Sequence, residues 1–266
     1  MRIYASVRKG RKERCDDRVL VGNVVLEDGY YEARIEDSGL VLAVADGVGG
    51  KPGGYMAATM TLEAMAGLQE EHTFTEEAVI ARLKSANDMI QARSLQDIRF
   101  SKMASTLSLL AIRKESATAF QLGDSRIYRL VREPGSSSLQ QMTTDQNRLA
   151  EWMDTEEFRK GRFSVETLKG DPTWCYITSY MGMSTQLLTK RLQCVEGIPG
   201  NGTFVLTSDG IHDYIDADEF KEWLLSELPA EEKILQIMDR ARENGSRDDQ
   251  SMIIAEPDDV GGRLGE

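Results

Sequence analysis

Ser105-Thr106-Leu107-Ser108-Leu109-Leu110-Ala111-Ile112-Arg113 is followed closely by Ala117-Thr118-Ala119-Phe120-Gln121-Leu122. Past Gly123-Asp124 comes a third run, Ser125-Arg126-Ile127-Tyr128-Arg129-Leu130-Val131. Each run is strand-sized and rich in aliphatic and β-branched residues. Strands grouped in this way, instead of alternating one by one with helices, point to an α+β chain with antiparallel sheets.

The neighbouring segments fit that grouping. Upstream, residues 19–26 and 40–45 read as strands ending near Asp or Gly. After Gly53-Gly54 the apolar period changes: Met56, Ala57, Met60, Leu62, Ala64, Met65 and Leu68 form a helical stripe. A second helix is expected over 76–95, with Ala78, Val79, Leu83, Ala86, Met89 and Ile90 facing inward. Downstream, 133–138 has the Pro, Gly and Ser content of a hairpin connection, 145–160 is helical in pattern, and 161–173 is irregular. Strands are expected at 188–195 and 203–207, helices at 217–226 and 230–244, and a last strand at 251–255. The expectation is therefore two antiparallel β-sheets packed as a sandwich and flanked by pairs of α-helices. Residues 1–256 would form one domain, with 257–266 a polar tail.

The chain has 266 residues and a formal charge of −12, from 32 Lys and Arg against 44 Asp and Glu. No basic stripe follows Arg8–Arg14, so nucleic acid is not the expected partner. No apolar run is long enough to span a bilayer and the N-terminus does not read as a secretory leader, so the expected location is cytoplasmic, with no membrane partner. Cys15, Cys175 and Cys194 are too widely spaced for a disulfide framework or a zinc knuckle, and Cys175 and Cys194 are expected as buried thiols. With only His72 and His212, histidine-based chemistry is poorly supplied.

Acidic residues are better supplied. Asp46, Asp124, Asp209 and Asp248 each follow an apolar run or stand at a polar turn, and Asp16-Asp17 precede another run. One Asp-Gly pair is an everyday turn. Carboxylates repeated at strand ends form a rigid oxygen-donor set for Mg²⁺ or Mn²⁺. Two such ions activate water and neutralise phosphoryl charge. Gly47 and Gly210 are expected to permit sharp turns there.

In order along the chain these residues resemble the type 2C family of metal-dependent protein serine/threonine phosphatases, in its bacterial form. The resemblance is carried by Lys12-Glu13-Arg14-Cys15-Asp16-Asp17, Val44-Ala45-Asp46-Gly47-Val48-Gly49-Gly50, Ser105-Thr106 and Leu122-Gly123-Asp124-Ser125-Arg126. It continues through Met142-Thr143-Thr144-Asp145-Gln146, Ile177-Thr178-Ser179-Tyr180-Met181-Gly182, Leu206-Thr207-Ser208-Asp209-Gly210 and Asp248-Asp249-Gln250-Ser251. It implies hydrolysis of phosphoserine or phosphothreonine by a hydroxide bridging two metal ions, with a third ion in many members. By resemblance, Asp46, Asp209 and Asp248 hold the first ion. Asp46, the Gly47 carbonyl and Asp16 hold the second, and Asp124 with Asp209 and Asp213 the third. Asp17 orients water and Lys12 meets the phosphate. The implied partners are phosphorylated proteins made by a serine/threonine kinase.

Several positions depart from the family pattern. Lys12 stands where the family has a phosphate-gripping arginine, and a one-residue shift brings Arg11 or Arg14 there instead. Cys15 replaces an asparagine, either as a small tolerated change or as a thiol beside metal ligands. Asp249 replaces another asparagine and adds charge, with Arg247 beside it to neutralise it. Gln146 and Ser179 replace a histidine and an arginine, and His212 reads as structural. Residues 161–172 fall where the family has its flap. The competing reading is a catalytically silent relative acting as a binding module.

Overall fold

The computed structural model describes residues 1–36, 39–48, 53–71, 74–113, 115–133 and 135–258. Gly49, Gly50, His72 and the tail beyond Asp258 lie outside the described residues. The strands are β1 (Arg2–Arg8), β2 (Arg18–Val21), β3 (Val24–Leu26), β4 (Gly29–Arg34), β5 (Gly39–Ala45), β6 (Leu107–Arg113), β7 (Ser116–Leu122), β8 (Arg126–Glu133), β9 (Ser136–Gln141), β10 (Gln193–Pro199), β11 (Thr203–Thr207) and β12 (Gln250–Glu256). The helices are α1 (Gly54–Glu70), α2 (Glu76–Gln96), α3 (Arg148–Met153), α4 (Glu156–Arg159), α5 (Val165–Lys169), α6 (Thr185–Arg191), α7 (Asp209–His212), α8 (Ala217–Leu225) and α9 (Ala230–Glu243).

One sheet has the order β4-β1-β12-β11-β8-β9 and the other β10-β7-β6-β5-β2-β3, with antiparallel pairing throughout the described ladders. The two-residue period of a strand sorts the core into layers. In β5, Leu40, Leu42 and Val44 face the opposite sheet and pack with Ile3, Phe204 and Ile253, while Val41, Ala43 and Ala45 face α1 and α2. In β12, Ile253 and Ala255 point inward, while Met252 and Ile254 meet Phe220, Ile234, Ile237 and Met238 of α8 and α9. The result is the expected α+β sandwich, with a helix layer outside each sheet.

The helix starts are set by local chemistry. Thr75 accepts the Ala78 N–H at the start of α2, where Glu76 and Glu77 complement the helix dipole. Several expectations need correction. Residues 19–26 form two strands, because Gly22, at φ 63°, turns the chain back on itself. Residues 188–195 are not one strand. Ser184 caps α6, which buries Leu188 among the residues packed on α2, and strand pairing begins only at Gln193. Residues 145–160 split into α3 and α4, because Asn147 and Thr155 each cap a separate helix. Within 161–173 lies α5. Met89 is 47% exposed instead of facing inward. The strands β1, β4 and β9 had no expected counterpart, and β9 takes up part of the expected hairpin loop.

Candidate metal centre

Antiparallel pairing brings five strand ends to one end of the sandwich. Asp46 follows β5, Asp17 precedes β2, Asp209 lies just beyond β11, Asp248 precedes β12, and Asp124 sits in the turn between β7 and β8. The register fixes the juxtaposition: Arg18 pairs with Ala45, and Thr207 with both Arg126 and Met252. Asp46, Asp124, Asp209 and Asp248 line a cleft of about 580 Å³ whose other walls include Val48, Cys175, Tyr176, Ile177 and Tyr180.

Backbone and side-chain hydrogen bonds hold these acids in place. The Asp46 N–H donates to Thr106 Oγ1 (2.9 Å), whose hydroxyl also contacts Ser125 Oγ (2.8 Å). Asn147 Nδ2 donates to Asp124 Oδ2 (3.2 Å). Asp16 Oδ1 accepts the Tyr55 N–H (3.0 Å), which ties the opening segment to the first turn of α1. Gln146 Oε1 accepts the Gly123 N–H (2.9 Å) and so steadies the residue before Asp124. Arg126 is held by Asp145 and stands 3.9 Å from Asp213.

Close packing perturbs the carboxyl groups. Burial pushes Asp17 and Asp209 up to about 7, reinforced by Asp249 for Asp17 and by Asp248 and Asp213 for Asp209. Asp46 and Asp124 are also raised well above the usual range, first by burial and then by neighbouring aspartates. Among the described residues, neither Asp17 oxygen nor Asp209 Oδ1 has a hydrogen-bond partner of good geometry, although the Ser208 and Ser251 hydroxyls lie near Asp17. Buried carboxylate oxygens left without donors, in an all-oxygen set, fit a hard divalent cation.

Lys12 lies within the acid cluster. Its Nζ is 3.0 Å from Asp248 Oδ1, 3.4 Å from Asp16 Oδ2 and 3.6 Å from Asp249 Oδ2. Burial alone would lower its pKa, but Asp248, Asp46 and Asp249 outweigh burial and raise it. Arg11 and Arg14 are exposed, and the Arg14 guanidinium lies 4.2 Å above the Tyr55 ring. Asp249 is 1% exposed and accepts the N–H groups of Gly10 and Asp16, both at 2.7 Å. The cation beside it is Lys12, whereas Arg247 is exposed.

Gly47 and Gly210 do not have left-handed φ angles. Their requirement is close approach: a Cβ on Gly210 would lie 1.9 Å from the Asp249 carbonyl oxygen, and one on Gly47 would lie 2.4 Å from Gly54 C. The Gly210 carbonyl is itself engaged by Ser246 and Gln250.

Contrary to the expectation of buried thiols, Cys175 is exposed, on the segment after α5 that lines the cleft, and Cys194 is half-buried, on the edge strand β10. Cys15 is buried, and burial together with Asp17 and Asp249 pushes its thiol up. His212 is buried with Nδ1 2.8 Å from Thr207 Oγ1, and burial keeps it neutral. Neither Asn147 nor the wall formed by Tyr176 and Tyr180 was expected from the sequence. Asn147 directly follows Asp145-Gln146, a pairing that could have flagged it.

A sandwich of this topology, with carboxylates converging at one end, has the architecture of a metal-dependent phosphatase. The family model described as Protein phosphatase 2C matches residues 15–248, and the chain belongs to that family. It is accordingly a metal-dependent phosphoprotein phosphatase. Among its relatives is the serine/threonine phosphatase stp of Listeria welshimeri, 24% identical over 234 residues, covering 86% of this chain and 88% of that one. A putative protein phosphatase 2C-type of Streptococcus pyogenes is 28% identical over 231 residues, covering 84% and 89%. The fold superposes on the Mycobacterium tuberculosis serine/threonine phosphatase PstP/Ppp with a TM-score of 0.75 at 20% identity, covering 96% and 99%.

Proposed function

We propose that residues 1–256 act as one catalytic unit hydrolysing phosphoserine and phosphothreonine in proteins phosphorylated by a serine/threonine kinase in the cytoplasm. The observation that carries this reading is the convergence of Asp17, Asp46, Asp209 and Asp248, with buried carboxylate oxygens left unpaired among the described residues. Asp46, Asp209 and Asp248 would hold one Mg²⁺ or Mn²⁺ ion, and Asp46, the Gly47 carbonyl and Asp16 a second. Asp124, with Asp209 and Asp213, would hold a third. When bound, such ions supply the water activation and charge neutralisation that hydrolysis of a phosphate monoester needs.

The chain's own residues do the rest. Asp17, anchored in the opening segment, orients the attacking water by accepting its proton-side hydrogen bond. Lys12 brings positive charge to the phosphate oxygens. Tyr176, Ile177 and Tyr180 give the cleft an apolar wall for the residues flanking the phosphorylated side chain. The test is phosphate release from a phosphothreonine peptide with Mn²⁺, Mg²⁺ or EDTA, using wild type and Asp209→Asn. Metal-dependent release, reduced on the order of 10²-fold or more in the variant, supports the reading. A folded wild type inactive with every metal would make the protein a silent binding relative.

A further inference from the structure

Two departures from the family pattern, Lys12 and Asp249, meet in space with Lys12 Nζ 3.6 Å from Asp249 Oδ2. We propose that Lys12 is a tethered counter-ion of the metal centre, competing with a divalent cation for Asp248 and Asp16 and retained on Asp249 when the cation binds. The inference rests on the metal-centre reading above.

The three carboxylates around the ammonium are not equivalent. Asp248 is 39% exposed at its side chain and lines the cleft, and Asp16 is 15% exposed. Asp249 is buried, and its two oxygens are already engaged by the backbone N–H groups of Gly10 and Asp16. Asp249 therefore faces the opening segment and is an anchor, unsuited to metal ligation. A divalent ion takes carboxylate oxygens at about 2.0–2.6 Å. Binding Asp248 or Asp16 at that range puts it within a few ångströms of an ammonium now 3.0 Å from Asp248 and 3.4 Å from Asp16.

Like charges at such separation repel strongly in a partly buried site. The ammonium is free to withdraw. Among the described residues Nζ has ion-pair distances but no well-aligned hydrogen bond, and its stem is flexible. An arginine fork, bonded in two places, would release its carboxylate less readily. Asp249 gives the displaced charge a fixed, buried partner next in sequence to Asp248. The pair thereby couples metal loading to the availability of Lys12 for substrate, and Asp249 is a positioning residue.

The experiment is calorimetric titration of metal-free, folded protein with Mn²⁺ alone, for wild type, Lys12→Met, Lys12→Arg, Asp249→Asn and Lys12→Met/Asp249→Asn. Lys12→Met is expected to bind Mn²⁺ about ten-fold tighter than wild type, and Lys12→Arg no tighter than wild type. Asp249→Asn is expected to bind more weakly, because Lys12 then has only the metal ligands to pair with. That weakening should vanish when Lys12 is also removed, whereas a purely structural role of Asp249 predicts the same loss in both backgrounds. If Asp249→Asn does not fold, the two Lys12 variants still decide. Unchanged or weaker Mn²⁺ binding by Lys12→Met overturns the inference and leaves the metal centre intact. No Mn²⁺ binding by any variant removes both.

Discussion

Asn147 shows how much one side chain does here. Its Oδ1 caps α3 by accepting the Ala150 N–H (3.0 Å), while its Nδ2 donates to Asp124. Asn147→Ala should cost about 1 kcal/mol through the lost cap, read from urea denaturation. It should also weaken the ion site proposed at Asp124, read as loss of the weakest step in a Mn²⁺ titration. An unchanged titration would show that the Asn147 contact is not needed for ion binding at Asp124. The cysteines give a second prediction at this scale. Cys175 is exposed, while Cys15 is 7% exposed with its thiol pushed up by burial and by Asp17. Alkylation of the native protein followed by peptide mass mapping should find Cys175 modified and Cys15 spared. Preferential labelling of Cys15 would reinstate it as a reactive thiol beside the proposed metal ligands.

The short helix α7 connects Asp209 to the turn that carries Asp248 and Asp249, and Gly210 lets the two backbones touch. Gly210→Ala must push α7 away from that turn, since its Cβ would overlap the Asp249 carbonyl oxygen. The expected outcome is a loss of activity on the order of 10²-fold with a lowered melting temperature, measured by peptide dephosphorylation and circular dichroism. Near wild-type activity would mean that the spacing of Asp209 and Asp248 is not critical. Elements such as β5, β6, β7, α1 and α2 were legible because their apolar periods are long and regular. The aspartates were legible because each ends or precedes such a run. By contrast, β9 is made largely of serine and glutamine and owes its pairing to β8, while α3, α4 and α5 are too short for a period to register. The partnership of Lys12 with Asp249 joins positions distant in sequence, so no local pattern could expose it.

At the scale of the whole molecule, the acid cluster links stability to pH. Asp17 and Asp209 titrate near 7 in the fold, against an ordinary value of 3.8. Between those values the folded protein holds more protons than the unfolded chain, so stability falls as pH rises through the window. Metal-free protein should therefore melt at a higher temperature near pH 5 than near pH 8, with buried, neutral His212 opposing part of the effect below its ordinary value of 6.5. Added Mn²⁺ should restore stability at the higher pH, because the cation binds the ionised carboxylates. Melting temperatures that rise steadily with pH in EDTA would contradict the arrangement of buried acids. The most direct test of the metal centre is an anomalous-difference map from crystals grown with Mn²⁺. Peaks are expected bounded by Asp46, Asp209 and Asp248 and by Asp46, the Gly47 carbonyl and Asp16, with Lys12 moved off Asp248. A map with no peak in the cleft, and Lys12 still against Asp248, would contradict it.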